Sequence, residues 1–252
     1  MKLPISVFII TKDEEEHIEK TLQSVSLLDE VILVDSGSTD DTLEIAKRYG
    51  AKIYSHPWQG YAKQKQYAMS LCSNEWALNL DGDEAINPSL INAFKLILEK
   101  NQADSVRFWR NDIFINKAMS SWSKKPNNHR LYKRSKAFFD DSRLAHESAT
   151  VDGKEIFINE TFDHFGYSSI EAITTKNNNY SSLKAREKYA KGKVFSNIKL
   201  ITVFPLVFIK EYFIQRKIFS GRRGFILAVM TAYYAFIKEA KLYEHYQLKE
   251  TK

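Results

Sequence analysis

The chain has 252 residues, of which 44% are hydrophobic and 27% are charged. These values are close to globular averages and exclude wholesale disorder, collagen and coiled coil. Cys72 is the only cysteine, which excludes a disulfide framework and a multi-cysteine zinc site and is typical of a reducing compartment. The net charge of +6 is unevenly spread, because residues 1–180 carry 22 Lys and Arg against 26 Asp and Glu, whereas residues 181–252 carry 15 against 5. The basic C-terminal part indicates an anionic partner, either a nucleic acid or a membrane surface.

Strand and helix signals alternate over the first hundred residues. Apolar, β-branched runs predict strands at residues 5–10, 31–34, 52–55, 76–80 and 105–109. Helical spacing and capping residues predict helices at residues 12–24, 62–72 and 88–100, and a further helix that opens on an N-cap within residues 38–41 and closes at Gly50. This alternation predicts an open, mostly parallel sheet with helices on both faces. Residues 110–165 are less regular, and from about residue 174 the pattern is helical and basic.

Polar and acidic side chains follow three of the predicted strands, at residues 11–14, 35–39 and 81–84. Because ligands on open α/β sheets bind beyond the carboxyl ends of the strands, we expect these segments to converge on one crevice. No Gly-x-Gly-x-x-Gly follows the first strand, and the chain has no Gly-Lys-Ser/Thr. Dinucleotide oxidoreductases and P-loop NTPases are therefore disfavoured.

Two aspartates separated by one glycine, Asp81 and Asp83, end the fourth predicted strand. Adjacent hard oxygen ligands suit Mg²⁺ or Mn²⁺ bridging to substrate phosphates, and the alternative is an Asp-Gly turn that caps the next helix. Asp35 ends the second predicted strand. Its carboxylate can accept a hydrogen bond from a base N–H or a ribose hydroxyl, and the alternative is a capping loop for the following helix.

Three segments together resemble glycosyltransferase family 2, whose catalytic domain has the GT-A fold. They are residues 6–14 (SVFIITKDE), 34–42 (VDSGSTDDT) and 80–84 (LDGDE). A closer similarity, to the bacterial lipopolysaccharide-core β-1,4-glucosyltransferase subfamily, adds residues 58–65 (WQGYAKQK), 130–134 (RLYKR), 146–147 (HE) and 164–167 (HFGY). The resemblance covers nearly the whole chain. It implies an α/β GT-A catalytic domain over residues 1–173, with a Rossmann-like nucleotide-sugar-binding mixed sheet flanked by helices, and a basic helical extension over residues 174–252.

The resemblance also implies an inverting transfer of a hexose, with glucose expected, from a UDP-sugar to a saccharide of the lipopolysaccharide inner core. The residues expected to contact the nucleotide-sugar are Thr11, Glu14, Asp35, Gln64, Lys65, Asp81 and Arg130. Asp83 and His164 are expected to hold Mg²⁺ or Mn²⁺, and Glu147 is the expected catalytic base.

Each of these roles has a plainer alternative. Lys65 fits a solvated helix lysine, His164 a structural histidine, and Glu147 a surface acid. The alternating pattern of residues 130–134, which includes Arg130, fits an ordinary edge strand. The functional alternatives are a glycosyltransferase acting on another glycan or a protein and, from a different class, a nucleotidyltransferase.

The C-terminal part has two uncharged segments, residues 200–209 and 224–237, flanked by Lys and Arg and rich in aromatic residues. The longer one would reach only ~21 Å as a helix, short of the ~30 Å hydrocarbon core. The pattern is typical of helices lying in the interface of an anionic membrane, and the alternative is packing on the catalytic domain or on a second subunit. Since no RNA-binding motif is present and the body is acidic, we expect no nucleic-acid partner. We expect the protein in the cytoplasm, peripheral at the inner face of the cytoplasmic membrane, without a secretory signal.

Overall fold

The structure, a computed structural model, describes residues 2–140 and 148–250. The chain divides into two compact units. The first comprises Met1–Asn111 and Lys125–Phe165, and the second comprises Asp112–Lys124 and Gly166–Lys252. The domain boundary after residue 173 stays a prediction.

The strands are β1 (Leu3–Thr11), β2 (Leu28–Asp35), β3 (Lys52–Ser55), β4 (Trp76–Asp81), β5 (Glu84–Ile86), β6 (Ser105–Phe114), β7 (Lys117–Ala118), β8 (Asn127–Lys133), β9 (Ala137–Phe138), β10 (Thr150–Val151) and β11 (Glu155–Tyr167). The helices are α1 (Ile18–Ser24), α2 (Thr42–Arg48), α3 (Tyr61–Ser70), α4 (Pro88–Lys100), α5 (Ile170–Ala190), α6 (Asn197–Ile209) and α7 (Gly221–Glu250). A π-helical turn spans Lys210–Ile214, and 3₁₀ turns span Arg134–Lys136 and Lys217–Ser220.

The main sheet is mixed, with the strand order β3-β2-β1-β4-β8-β6-β11-β5. The neighbours β3, β2, β1 and β4 pair in parallel. Beyond β4 the pairing changes, since β8 lies antiparallel to both β4 and β6, and β11 lies antiparallel to β5. The mostly parallel sheet predicted from the first hundred residues therefore describes one half, and the irregular region supplies antiparallel strands to the other.

Side chains along β1 alternate between two apolar clusters. Ile5, Val7 and Ile9 join a cluster that includes residues of α1, α2 and α4. Phe8 and Ile10 join a second cluster that includes residues of α3. Successive strand residues point to opposite faces of a sheet, so β1 is buried on both sides, which explains its unbroken apolar run. Helices on both faces are confirmed.

The first helix begins at Ile18, six residues later than predicted. Asp13 has a φ of 53°, a left-handed conformation that an α-helix cannot continue. The Asp13 carboxylate accepts a hydrogen bond from the Thr39 N–H at 2.7 Å, and the Asp13 N–H donates to the Ser38 hydroxyl at 2.9 Å. The acidic run after β1 is therefore a loop tied to the loop after β2.

The second unit has its own apolar cluster, formed by Phe114, Met119, Ile173 and Leu227. It contains α5, α6 and α7. Over residues 2–140 and 148–250, none of the helices combines the length and apolar character needed to cross a bilayer.

Candidate active site

The ends of three parallel strands lie level at one edge of the sheet. Thr11 at the end of β1 pairs with Asp35 at the end of β2, and Ile10 pairs with Asp81 at the end of β4. The acidic segments that follow these strands thus begin side by side, as expected for the ligand-binding edge of an α/β sheet.

Thr11 and Glu14 lie in the first of these segments. Thr11 is buried, and its Oγ1 has no hydrogen-bond partner among the described residues. Because a buried hydroxyl without a partner is costly, this atom suits a ligand contact. The Glu14 side chain lies against Gly82, where an added Cβ would come within 3.1 Å of the Glu14 Cγ. The loops after β1 and β4 are therefore in close contact.

Asp35 caps its own turn. Its carboxylate accepts hydrogen bonds from the Gly37 N–H at 2.8 Å, the Ser38 N–H at 3.0 Å and the Ser38 hydroxyl. These contacts close the loop after β2 but do not cap α2, because neither Gly37 nor Ser38 belongs to that helix. The α2 N-cap residue Asp41 makes no side-chain cap hydrogen bond either. A nucleotide contact by Asp35 stays a prediction.

Gln64 on α3 is wholly buried and holds two loops together. Its Nε2 donates to the Ser36 hydroxyl and to the His56 carbonyl, both at 3.0 Å. Its Oε1 lies 3.0 Å from the His56 Nδ1. The side chain therefore positions the segments after β2 and β3, and its contact with a nucleotide stays a prediction.

A cluster of charged groups surrounds Asp81. Lys65 Nζ lies 3.0 Å from one carboxylate oxygen of Asp81, and Arg130 Nη2 lies 2.9 Å from the other. Arg130 also forms an ion pair with Glu84 and donates to the Asn79 Oδ1 at 3.0 Å. Glu84 is wholly buried and accepts a hydrogen bond from the Asp81 N–H at 3.0 Å. Both oxygens of Asp81 are thus engaged by cations.

The charges within this cluster set its ionisation. Removal from water opposes ionisation of Asp81, but Arg130 and Lys65 outweigh it and hold the pKa of Asp81 far below its usual value. Burial raises the pKa of Glu84, and the charge of Arg130 opposes that rise. For Arg130, burial would lower the pKa, but Asp81 and Glu84 raise it above its usual value. Arg130 therefore stays cationic at every physiological pH.

The structure tests the plainer alternatives given above for Lys65 and Arg130. Lys65 is 5% exposed and bonded to Asp81, so the solvated-lysine alternative is wrong. Arg130 lies on β8, and β8 lies inside the sheet between β4 and β6, so the edge-strand alternative is also wrong. Both side chains contact Asp81 at the edge of the sheet where β1, β2 and β4 end in Thr11, Asp35 and Asp81. We call this region the polar edge.

Asp83 and His164 face each other, with His164 Nε2 3.5 Å from Asp83 Oδ2. The register of β5 with β11, in which His164 lies opposite Glu84, brings the histidine to this position. A carboxylate oxygen beside an imidazole nitrogen fits a divalent cation such as Mn²⁺. Within the described part of the chain, no group of three or more His, Cys, Asp or Glu could hold a metal.

Three residues of this edge have roles that the sequence analysis missed, and one predicted residue falls elsewhere. Glu84 and Asn79 are partners of Arg130, and His56 is a partner of Gln64. Glu84 could have been noticed because it follows Asp83 in the same acidic run, whereas no sequence signal marks Asn79 or His56. Glu147 lies outside the described residues.

Known proteins show clear similarity to this chain. The model of the family described as "Glycosyl transferase family 2" matches residues 6–157. An uncharacterized glycosyltransferase of Rickettsia felis is 37% identical over 256 residues, covering 95% of this chain and 89% of the relative. The lipopolysaccharide core biosynthesis glycosyltransferase LpsC of Rhizobium meliloti is 33% identical over 256 residues, covering 98% and 95%.

The fold is also found in a solved structure. The crystal structure of Staphylococcus aureus TarS, residues 1–349, superposes with a TM-score of 0.51 at 14% identity, covering 99% of this chain and 92% of that one. This likeness confirms the predicted GT-A fold.

Proposed function

The chain belongs to glycosyltransferase family 2, and from this membership we propose that it is an inverting transferase that moves glucose from a UDP-sugar to a saccharide of the lipopolysaccharide inner core. The observation that carries the proposal is the polar edge where β1, β2 and β4 end level, in a chain similar over 98% of its length to a lipopolysaccharide core glycosyltransferase. Family membership sets aside the nucleotidyltransferase alternative.

The nucleotide would bind against the loops after β1 and β2. Thr11 offers a buried hydroxyl that lacks a partner among the described residues, and Glu14 follows three residues later in the same loop. Asp35 presents a carboxylate at the neighbouring strand end. Gln64 supports this region indirectly, because it bonds Ser36 and His56.

The sugar diphosphate would lie over the end of β4. Arg130 and Lys65 hold Asp81 in one orientation. The Asp81 side chain is still 37% exposed, so its carboxylate can accept a hydrogen bond from a ribose hydroxyl. Asp83 and His164 would hold Mg²⁺ or Mn²⁺, which when bound offsets negative charge on the departing diphosphate. Because both oxygens of Asp81 are already bonded to cations, Asp83 is the better placed of the two aspartates for this role.

The acceptor hydroxyl would attack the anomeric carbon while the bond to the diphosphate breaks. Glu147 would take the hydroxyl proton as general base, a contribution of typically 10²–10⁴-fold. A single displacement inverts the configuration at that carbon. The acceptor would reach the enzyme at an anionic membrane surface, at the inner face of the cytoplasmic membrane.

The proposal is tested with a panel of UDP-, ADP- and CMP-sugars, with Mg²⁺ or Mn²⁺ present. We expect calorimetry to show metal-dependent binding of UDP-glucose, and we expect transfer to lipopolysaccharide inner-core oligosaccharide with an inverted anomeric centre by NMR. Tight binding of an ADP- or CMP-sugar without binding of UDP would contradict the assignment of a UDP-sugar as the donor. Transfer to a protein or another glycan in place of the core oligosaccharide would overturn the acceptor.

A further inference from the structure

The segment from residue 197 to residue 220 is apolar and yet unburied. It consists of α6, the π-helical turn Lys210–Ile214 and the 3₁₀ turn Lys217–Ser220, and none of these three elements contains a buried residue. In α6, nine of the 13 residues are Ile, Leu, Val or Phe. A helix that is hydrophobic all round is normally enclosed, so this exposure requires an explanation.

Four of the five exposed apolar residues of α6 lie on one side of the helix. Ile198, Ile201, Pro205 and Ile209 recur at intervals of three, four and four residues, which is the spacing of a single helical face. Ile198 is 76% exposed and Ile201 is 75% exposed. Leu200, Val203, Phe204 and Val207 lie on the opposite side and are only partly exposed. Phe208, next to the exposed side, packs against Phe225 of α7 with ring centroids 5.7 Å apart. The helix therefore packs through one apolar side and leaves a second apolar side uncovered.

Exposed apolar side chains continue through the two turns that follow α6. We call the whole set the outer apolar face; it comprises Ile198, Ile201, Leu206, Ile209, Phe213, Ile214, Ile218 and Phe219, each at least 40% exposed. Large exposed apolar patches on proteins mark interaction sites for proteins or membranes.

The charge of the residues around the outer apolar face favours an anionic partner. Residues 193–223 contain seven Lys and Arg and a single acidic residue, Glu211, which pairs with Lys217 at 2.7 Å. Residues 193–223 thus carry a net charge of +6. A second copy bound through the same face would bring two such charges together, because a two-fold interface places identical patches against each other. Anionic lipid headgroups instead complement the basic residues, while acyl chains accept the Ile and Phe side chains.

We propose that the outer apolar face inserts into the interfacial layer of an anionic bilayer, with α6 lying in the membrane plane. At 1.5 Å per residue the 13 residues of α6 extend ~20 Å, too short for the ~30 Å hydrocarbon core but ample for an in-plane helix. The outer apolar face contains none of the catalytic residues, and its role does not depend on which sugar is transferred.

Flotation of the full chain with phosphatidylcholine vesicles, with and without phosphatidylglycerol, tests the proposal. We expect binding to the anionic vesicles, weakened by added salt. The double substitution Ile198→Asp with Ile201→Asp should lower vesicle affinity by roughly tenfold or more, since it places charge in the apolar layer. Leu183→Asp is the matched control, because Leu183 is 61% exposed on α5, outside the face; it should bind as the wild type does.

Ile198→Gln with Ile201→Gln provides a gentler variant if the aspartates disturb folding, and circular dichroism and UDP affinity report that the protein is intact. No binding of the wild type to anionic vesicles would overturn the proposal. Equal losses in the Leu183→Asp control would also overturn it. So would light scattering that shows a dimer broken by the double variant while vesicle binding is retained, because the face would then belong to a second copy.

Discussion

Arg130 of β8 reaches across to the end of β4, where its Nη2 lies 2.9 Å from Asp81 Oδ2. The two residues are 49 positions apart in the chain. They meet because β8 runs antiparallel to β4, with Leu131 paired to Leu78. The contact joins the parallel half of the sheet, which ends in acidic loops, to the antiparallel half, which supplies one of the two cations bonded to Asp81.

Arg130→Met should destabilise the protein strongly. The change leaves the wholly buried Glu84 without its cationic partner, and loss of one member of a buried ion pair costs about 3–5 kcal/mol. Urea unfolding measures the loss. Arg107→Met on the neighbouring strand β6 is the control, because the Arg107 pair with Glu155 is partly exposed and should contribute less than about 1 kcal/mol.

A second substitution checks the cause. Glu84→Gln combined with Arg130→Met should recover part of the stability, because it removes the uncompensated charge. Equal losses in the Arg130 and Arg107 variants, or no recovery in the double variant, would contradict the charge cluster as the source.

Asp83→Ala should abolish transfer while the protein stays folded. Loss of a group that stabilises transition-state charge lowers kcat by roughly 10²-fold or more, and calorimetry should show that UDP binding no longer responds to Mg²⁺ or Mn²⁺. Asp152→Ala, at an exposed position in the turn after β10, serves as the control. Near-normal activity of the Asp83 variant at saturating donor and metal would rule out the metal assignment.

Glu147→Gln should lower kcat by roughly 10²–10⁴-fold and leave UDP affinity unchanged, because glutamine keeps the volume but cannot take a proton. Steady-state kinetics with acceptor and separate UDP titrations measure the two effects. Glu99→Gln, at an exposed position on α4, should change kcat by less than about threefold. A parallel loss of UDP affinity would move Glu147 to the donor side, and Asp140 and Asp141 would become the next candidates.

Acid should destabilise the protein through Glu30. Burial opposes ionisation of Glu30, but hydrogen bonds from Lys52, Ser6 and Ser73 lower its pKa to about 2 from 4.5. Because the folded-state pKa is the lower one, the stabilisation is complete above about pH 4.5 and is lost as the pH falls towards 2. It amounts to about 3 kcal/mol.

Urea unfolding across this pH range measures that contribution. Glu30→Gln should remove the part of the acid-linked loss that Glu30 contributes, whereas Glu44→Gln, at an exposed ion pair with Lys47, should follow the wild-type curve. An unchanged pH dependence in the Glu30 variant would show that other groups cause the acid sensitivity.

Part of the fold of this protein could be predicted from short stretches of its sequence. The β-branched run over residues 5–10, the capped helix from Pro88 and the acidic segments after three strands all occur where the patterns predict them. Each signal lies within a window of a few residues, because hydrophobic periodicity and capping act over one strand or one helical turn. The α/β order and the position of the polar edge were therefore determined by the sequence itself.

The tertiary structure decided the contacts between residues that are far apart in the chain, which no short stretch of sequence contains. The place of β8 inside the sheet, and with it the pairing of Arg130 with Asp81 and Glu84, depends on strand pairing between distant segments. The late start of α1 follows from the left-handed Asp13, which is held by Thr39 of another loop. The exposure of α6 likewise could not be read from its apolar sequence, because a hydrophobic helix in a core and one on a surface have the same composition, and only the packing of the remaining chain distinguishes them.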